Sequence, residues 1–549
     1  MTQPDQLKKN EPLKWSTGAG TEVWEMFCAC IAGDLAAVKR LLEEDPSLVR
    51  CQYNYRKPLY FAVRENRLAV VEFLLERDLN PIGLAVNDSL LEIARDRGYG
   101  EMETLLTTKL AALHNISAND EPVAEAIRQR DAAKMRSLLD ASPDLLHTGD
   151  LRSNQPIHWA VMTRQIALID ELLQRGADIN ARRCDGARPI HLNNGDYHFR
   201  GWDRVPKDTA PTPRAVYEHL RARGAFCDIC TAAWFGDLNR VRELCDQDPS
   251  LANRPSDCLT YYACSGTPLR NAAAGGHTEI VKLLLERGAD PNLPEEGIAP
   301  RGHALHSAVV RGHIEIVKLL LTHGAYPNVE IESSADTLSA ALATAGYSYV
   351  KPNTEMVELL CSYGATRAVH LLAYSGDVLT AAAVFAANPA LANDPEALGN
   401  AAGEGREAFV RLMLRYQPDL PRRVNFSSWS VGAKTRELNE LLFQHGMNAN
   451  AADWLGATAL HHLAGGGNVE KAAWFLDHGA DLLARDEDIC STPLGWAAKF
   501  GQEPMVELLL QRGAKPNLPD DPPWATPLAW ATRRGHPEIA ELLKRHGAK

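Results

Sequence analysis

The chain has no apolar run of the ~18 residues that a membrane-spanning helix needs. Its first twenty residues, MTQPDQLKKNEPLKWSTGAG, hold no apolar core segment, which excludes a secretory signal of the usual kind. Basic charge is also in deficit. The net charge is −12 with acidic and basic residues interspersed, so no broad basic face is available for nucleic acid. Paired cysteine spacing is missing as well. Eleven thiols are an odd number, and Cys28, Cys30, Cys264 and Cys361 lie inside or beside helical patterns, where a thiol serves as a small filler. A reducing, cytoplasmic setting is expected. There is no Gly-rich phosphate loop followed by Lys-Ser/Thr and no G-x-S-x-G nucleophile elbow. Cys227 and Cys230 form a C-x-x-C pair, with Cys258 and Cys264 beyond, but the spacing is poor for a zinc module. Neither a metal nor a cofactor is expected.

What is present is a repeat. The segment TPLRNAAAGGHTEIVKLLLERGADPN (Thr267 to Asn292) recurs with variation at a period near ~33 residues. Pro268 suits a first helical turn, where its missing N–H goes unused. Leu269, Ala272 and Ala273 form one apolar face, and the small alanines allow close approach of neighbours. Gly276-His277 makes a turn. Ile280, Val281, Leu283, Leu284 and Leu285 then form a second apolar stripe at helical period. Gly288 caps it, and Asp290-Pro-Asn opens an extended turn to the next unit. One such pair buries too little apolar surface by itself, so neighbours must stack.

The motif resembles the ankyrin repeat, whose consensus is close to TPLxxAAxxGHxEIVxLLLxxGAxxN. Strong further copies begin near Gln155, His303, Ala457, Ser491 and Ala525. Weaker ones begin near residues 22, 55, 88, 120, 187, 226, 336, 366, 396 and 425, about sixteen units in all. The resemblance implies an all-α solenoid with short β-hairpin fingers, continuous over 22–549, behind a flexible arm at 1–21. Some units end differently, as in DPSLVR (Asp45 to Arg50), SPDLLH (Ser142 to His147), DPSLAN (Asp248 to Asn253) and NPALAN (Asn388 to Asn393). These read as alternative caps in which Pro stops the helix and Leu packs back.

Departures from the repeat lie at 191–214, 257–266, 293–302 and 345–355. Insertions in repeat proteins tend to become loops on one face, often the binding face. The first departure gathers Asp196, Tyr197, His198, Arg200, Trp202 and Asp203 after His191, while Asn271 occupies the first helix of the best unit. Carboxylates beside aromatics could serve a small-molecule or carbohydrate site, or hydrolytic acid–base work.

The resemblance also places the residue two after the P-L pair on the concave face. Four of the eleven tryptophans fall in that slot: Trp159, Trp429, Trp496 and Trp530. His462 shares it. Such rings either pack on the preceding hairpin or offer a partner large contact area at low entropic cost. The histidine slot of the motif (His158, His191, His306, His370 and His461) implies bonds within the scaffold. The expected function is a non-catalytic scaffold that holds a protein partner in its concave groove. Partner contacts are expected at Trp159, Trp429, His462, Trp496 and Trp530, with no nucleic acid and no membrane. A monomer is expected, with self-association through the end repeats as the alternative.

Overall fold

In the helical pair at the centre of the repeat, Thr267 Oγ1 accepts the Arg270 N–H and starts the helix Pro268–Gly275. Gly276 ends it at φ +76°. A side chain there would be strained, and its Cβ would also stand 2.7 Å from the His313 ring of the next pair. The second helix, Thr278–Glu286, buries Ile280, Val281, Leu283, Leu284 and Leu285, the stripe expected from the period. Pro268–Gly275 packs between the first helices of its neighbours, Ile229–Trp234 and Ala304–Arg311. Thr278–Glu286 packs between Leu238–Gln247 and Ile314–Thr322. First helices therefore stack on first helices and second on second, which defines an all-α repeat solenoid.

The computed structural model describes residues 1–77, 88–151, 153–193, 210–258, 264–296, 299, 301–331, 336–343, 351–424 and 432–549. Among these, several of the fingers between pairs close with a single β-bridge, such as Glu295 with Ala299 and Ala452 with Thr458. The chain divides into two compact units. The larger spans Lys9–Arg95 and Tyr99–Ala365, and the smaller Met1–Lys8, Asp96–Gly98 and Thr366–Lys549. The arm expected at 1–21 carries a 3-10 turn at Asp5–Lys8, in which Leu7 is buried. In the smaller unit the helices Ala459–Gly466, Pro493–Lys499 and Pro527–Arg533 stack in order.

Units are also stitched by one polar residue. In several units the asparagine that ends the turn bonds both ends of its amide to the next unit. Asn292 Nδ2 donates to Gly324 O at 2.8 Å, and Asn292 Oδ1 accepts the Tyr326 N–H at 2.7 Å. Asn253 does the same to Gly288 and Asp290, Asn450 to Gly479 and Asp481, and Asn517 to Gly547 and Lys549. Asn253 belongs to a variant DPSLAN ending, so that cap preserves the clamp. The variant endings fold as 3-10 turns, and Asp45, Asp248 and Asn388 cap them through Ser47, Ser250 and Ala390 N–H. Leu48 and Leu146 pack back as expected, whereas Leu391 stays exposed and Ala392 is buried in its place.

Among the described residues the first departure carries a 3-10 turn, Pro189–Leu192, at the first-helix position, and its second helix is Pro213–Ala222.

Replacing Asn292 by Ala removes two bonds of roughly 1 kcal/mol net each. The expected result is a lower melting temperature together with faster hydrogen exchange at the Tyr326 N–H. Unchanged exchange there would show that the clamp carries no load.

Candidate functional site

Three fingers are held by an aspartate, and in two of them the same carboxylate bonds the slot residue on the following helix. Asp150 Oδ1 accepts the Asn154 N–H at 2.9 Å, and its Oδ2 accepts the Trp159 indole N–H at 2.7 Å. Asp486 accepts the Asp488, Ile489 and Ser491 N–H groups, and its Oδ1 also accepts the Trp496 indole at 2.9 Å. Asp453 Oδ1 accepts the Leu455 and Ala457 N–H groups at 2.9 Å each. Its Oδ2 stands 4.0 Å from His462 Nε2. Trp530 varies the pattern, donating to Ser491 Oγ of the preceding finger at 2.8 Å. A buried carboxylate or indole needs such partners, because leaving one unsatisfied costs more than a good bond returns.

This geometry corrects the aromatic stripe. Trp159 and Trp530 are 0 % exposed, so neither ring offers area to a partner. Arg128 lies 4.7 Å over Trp159; Lys499 and Arg533 each lie 4.5 Å over Trp530. Phe61, Leu192, Thr231 and Ala340, in the same slot, are buried too. At these positions the slot faces the scaffold and not open solvent. Trp496 and His462 remain partly exposed. Their rings meet edge to face at 5.3 Å, and Phe500 lies 6.0 Å from Trp496. Gly465 makes room for them: a Cβ there would lie 3.1 Å from Trp496 Cε3 and 3.2 Å from Phe500 Cδ2. Trp429 lies outside the described residues.

Asp196, Tyr197, His198, Arg200, Trp202 and Asp203 also lie outside the described residues. Asn271 is described and is 1 % exposed. Its Oδ1 accepts the Cys264 N–H, and its Nδ2 donates to Ser265 O and Thr267 O. The amide therefore shapes the finger before its own helix, with both of its N–H donors committed there. Beside it, Arg270 donates to Ser265 O and Oγ. Glu295 is buried with His303 Nδ1 3.5 Å from its carboxylate. Burial works against the Glu295 charge, yet Arg270 and His303 hold its carboxyl below the ordinary value. Cys227, Cys230, Cys258 and Cys264 are buried, and burial pushes the Cys227 thiol up to about 11. Among the described residues no group of three or more His, Cys, Asp or Glu is arranged to hold a metal ion.

Two of the motif histidines bond within the scaffold through both ring nitrogens. His158 Nδ1 accepts the Gln155 N–H at 3.1 Å, and Nε2 sits 3.2 Å from Ala181 O. His461 repeats this with Thr458 and Ser491. With Nδ1 accepting, Nε2 carries the proton and the ring is neutral. Burial lowers the pKa of His158 and His461 to about 3 and of His462 to about 4. It also lowers His191, His303 and His306. Three carboxyls shift the other way through burial: Asp120 to about 9, Asp453 to about 6, and Asp486 upward.

These shifts fix the sign of an acid response. Below pH ~6.5 the unfolded chain protonates histidines that the folded chain keeps neutral. Their contribution to stability is present above that pH and is lost as pH falls toward 3–4. The raised carboxyls oppose this, because the folded chain holds protons there that the unfolded chain releases. The histidines lowered in this way outnumber the raised carboxyls, so the net effect of a fall from pH 6.5 to 5 is a loss of stability. The denaturation midpoint is therefore expected to fall steeply from pH 6.5 to 5, and less so in His462→Gln. A flat profile would contradict the neutral, buried histidines.

Helical pairs joined by bridged fingers, with the N-cap Thr, the motif His and the GAxxN clamp, define the class: a solenoid of repeated helical hairpins. The chain is an ankyrin-repeat protein. The family model of ankyrin repeats in three copies matches residues 229–331, 428–520 and 489–549, and the single ankyrin repeat matches 154–183. A probable E3 ubiquitin-protein ligase of Oryza sativa subsp. japonica, XBOS32, is 28% identical over 194 residues, covering 32% of this chain and 39% of that protein. The DNA-binding protein RFXANK of Homo sapiens is 29% identical over 133 residues, covering 23% of this chain and 50% of that protein. The chain thus spans half or less of either relative's length. The human ASB11 ankyrin repeat domain, a solved structure, matches at 19% identity and a TM-score of 0.26, covering 45% of this chain and 100% of that one. Among the described residues no helix is long and apolar enough to cross a membrane.

Replacing Trp496 by Phe keeps an aromatic ring but removes the pyrrole part of the indole with the N–H that Asp486 accepts, leaving a buried acceptor short of one donor. The expected cost is about 1–3 kcal/mol. Thermal unfolding measures it, and an unchanged midpoint would mean that the indole does not brace its finger.

Proposed function

We propose that the chain is a non-catalytic scaffold that holds a protein partner on the first-helix face of the smaller unit. The observation that carries this reading is the partly exposed group of His462, Trp496 and Phe500 on two adjacent first helices. Trp496 is braced from below by Asp486, so its exposed part is presented in one fixed orientation. A ring already held in place loses little entropy on binding, which is why rigid aromatics dominate interface energetics. Trp159 and Trp530 contribute by locking fingers rather than by touching the partner. The matched relatives carry printed activities as different as ubiquitin ligation and DNA binding. What they share with this chain is the repeat, and that supports a role in holding rather than in chemistry. The reading includes a monomer in a reducing, cytoplasmic setting, in keeping with the odd cysteine count.

Gly466 offers a clean test, because a Cβ there meets nothing within 4 Å. A photo-crosslinking amino acid at Gly466 is expected to give one discrete adduct in cells. The adduct is expected to disappear in Phe500→Ala and to be absent when the crosslinker replaces Glu507 on the second helix. Equal capture at both positions, or none at Gly466, would refute this face as the binding surface.

A further inference from the structure

Of the two oxygens on Asp453, only one is used. Oδ1 accepts two backbone N–H groups of its own finger. Oδ2 faces His462 Nε2 across 4.0 Å, too far for a hydrogen bond, and that Nε2 is itself buried without a partner. No lysine or arginine pairs with Asp453 or with Asp486 among the described residues. Glu487, in the same finger as Asp486, is by contrast paired with the Met1 amino group. Two neighbouring carboxylates thus share one corner of the smaller unit with no cation between them, and the Asp453 side chain keeps 21 % of its surface exposed. The His462 and Trp496 rings wall that corner.

Uncompensated negative charge next to an aromatic wall is an arrangement that favours a cation. An ammonium or guanidinium placed in the gap would donate to Asp453 Oδ2. It would lie beside the indole, where attraction to the ring adds to the charge pairing. A neutral His462 with its proton on Nδ1 would accept a second bond from the same group. An acidic or purely apolar side chain would leave Asp453 stripped of water and unpaired, which is costly.

We propose that the Asp453–His462–Trp496 corner receives a lysine or arginine side chain of the protein partner. This rests on the scaffold reading above and adds the chemistry that the partner must carry. The corner also has a direction in pH. Burial, together with Asp488 and Asp486, raises Asp453 to about 6, so the carboxylate that pairs with the cation is lost as pH falls below that. His462, which faces it, stays neutral to about 4, and Arg97 donates to the Asp488 carbonyl in the adjoining finger, where its fixed charge does not change over this range.

The test is a selection of random linear peptides on the full chain, keeping peptides whose binding is lost in Phe500→Ala. The expected peptides carry Lys or Arg at one recurring position. Exchanging that residue for norleucine, or introducing Asp453→Asn in the protein, is expected to weaken binding at least tenfold. Binding is also expected to weaken from pH 7 to pH 5 and with added salt. The amide of the Asp453→Asn variant keeps the oxygen that the Leu455 and Ala457 N–H groups need. The norleucine exchange probes the same contact with the protein unaltered. Peptides that depend on Phe500 but carry no recurring basic residue would overturn the cation corner and leave the scaffold reading intact. If no selected peptide depended on Phe500, both would fall.

Discussion

A solenoid has no long-range core, so every property of this protein depends on how one helical pair grips the next. The grip is partly apolar, first helix on first helix and second on second. Its polar part is the two-ended asparagine clamp, which fixes the spacing between turns. With spacing fixed, the fingers come to lie over the first helices. The finger carboxylates can then reach the slot residues, as Asp150 reaches Trp159 and Asp486 reaches Trp496. The candidate site is therefore a by-product of a structural device. A tryptophan that began as a brace becomes a contact where its outer part stays uncovered.

The same device explains the electrostatics. Fingers that need acceptors for several N–H groups use aspartates, and neighbouring fingers bring those aspartates together. Most find donors. Asp453 and Asp486 find only neutral ones, so the smaller unit keeps a local negative charge beside aromatic rings. The motif histidines show the opposite arrangement. His158 and His461 place both ring nitrogens inside the scaffold and stay neutral, which ties the stability of the stack to pH.

Much of the fold was legible in the sequence because the period, the Gly caps and the apolar stripes all follow from helix geometry. The units near Thr267, His303, Ser491 and Ala525 fold as read. The slot was harder. Spacing tells which side of a helix Trp159 or Trp530 leaves from, but not whether a finger folds over it. A signal did exist: an aspartate nine residues before Trp159 and ten before Trp496. Trp530 carried no such local signal, since its acceptor Ser491 lies 39 residues upstream. Asn271 was singled out beside the departures for its unusual position, and that position is explained by three bonds into the finger at Cys264 to Thr267.

The slot tryptophans do not form one uniform binding stripe: Trp496 is presented outward, while Trp159 and Trp530 are enclosed. Hydroxyl-radical footprinting read by mass spectrometry measures this directly on the folded protein. Ready oxidation of Trp496 is expected, with Trp159 and Trp530 protected until the chain unfolds. Equal oxidation of all three in the native state would contradict the braced, outward-facing ring on which the binding surface depends.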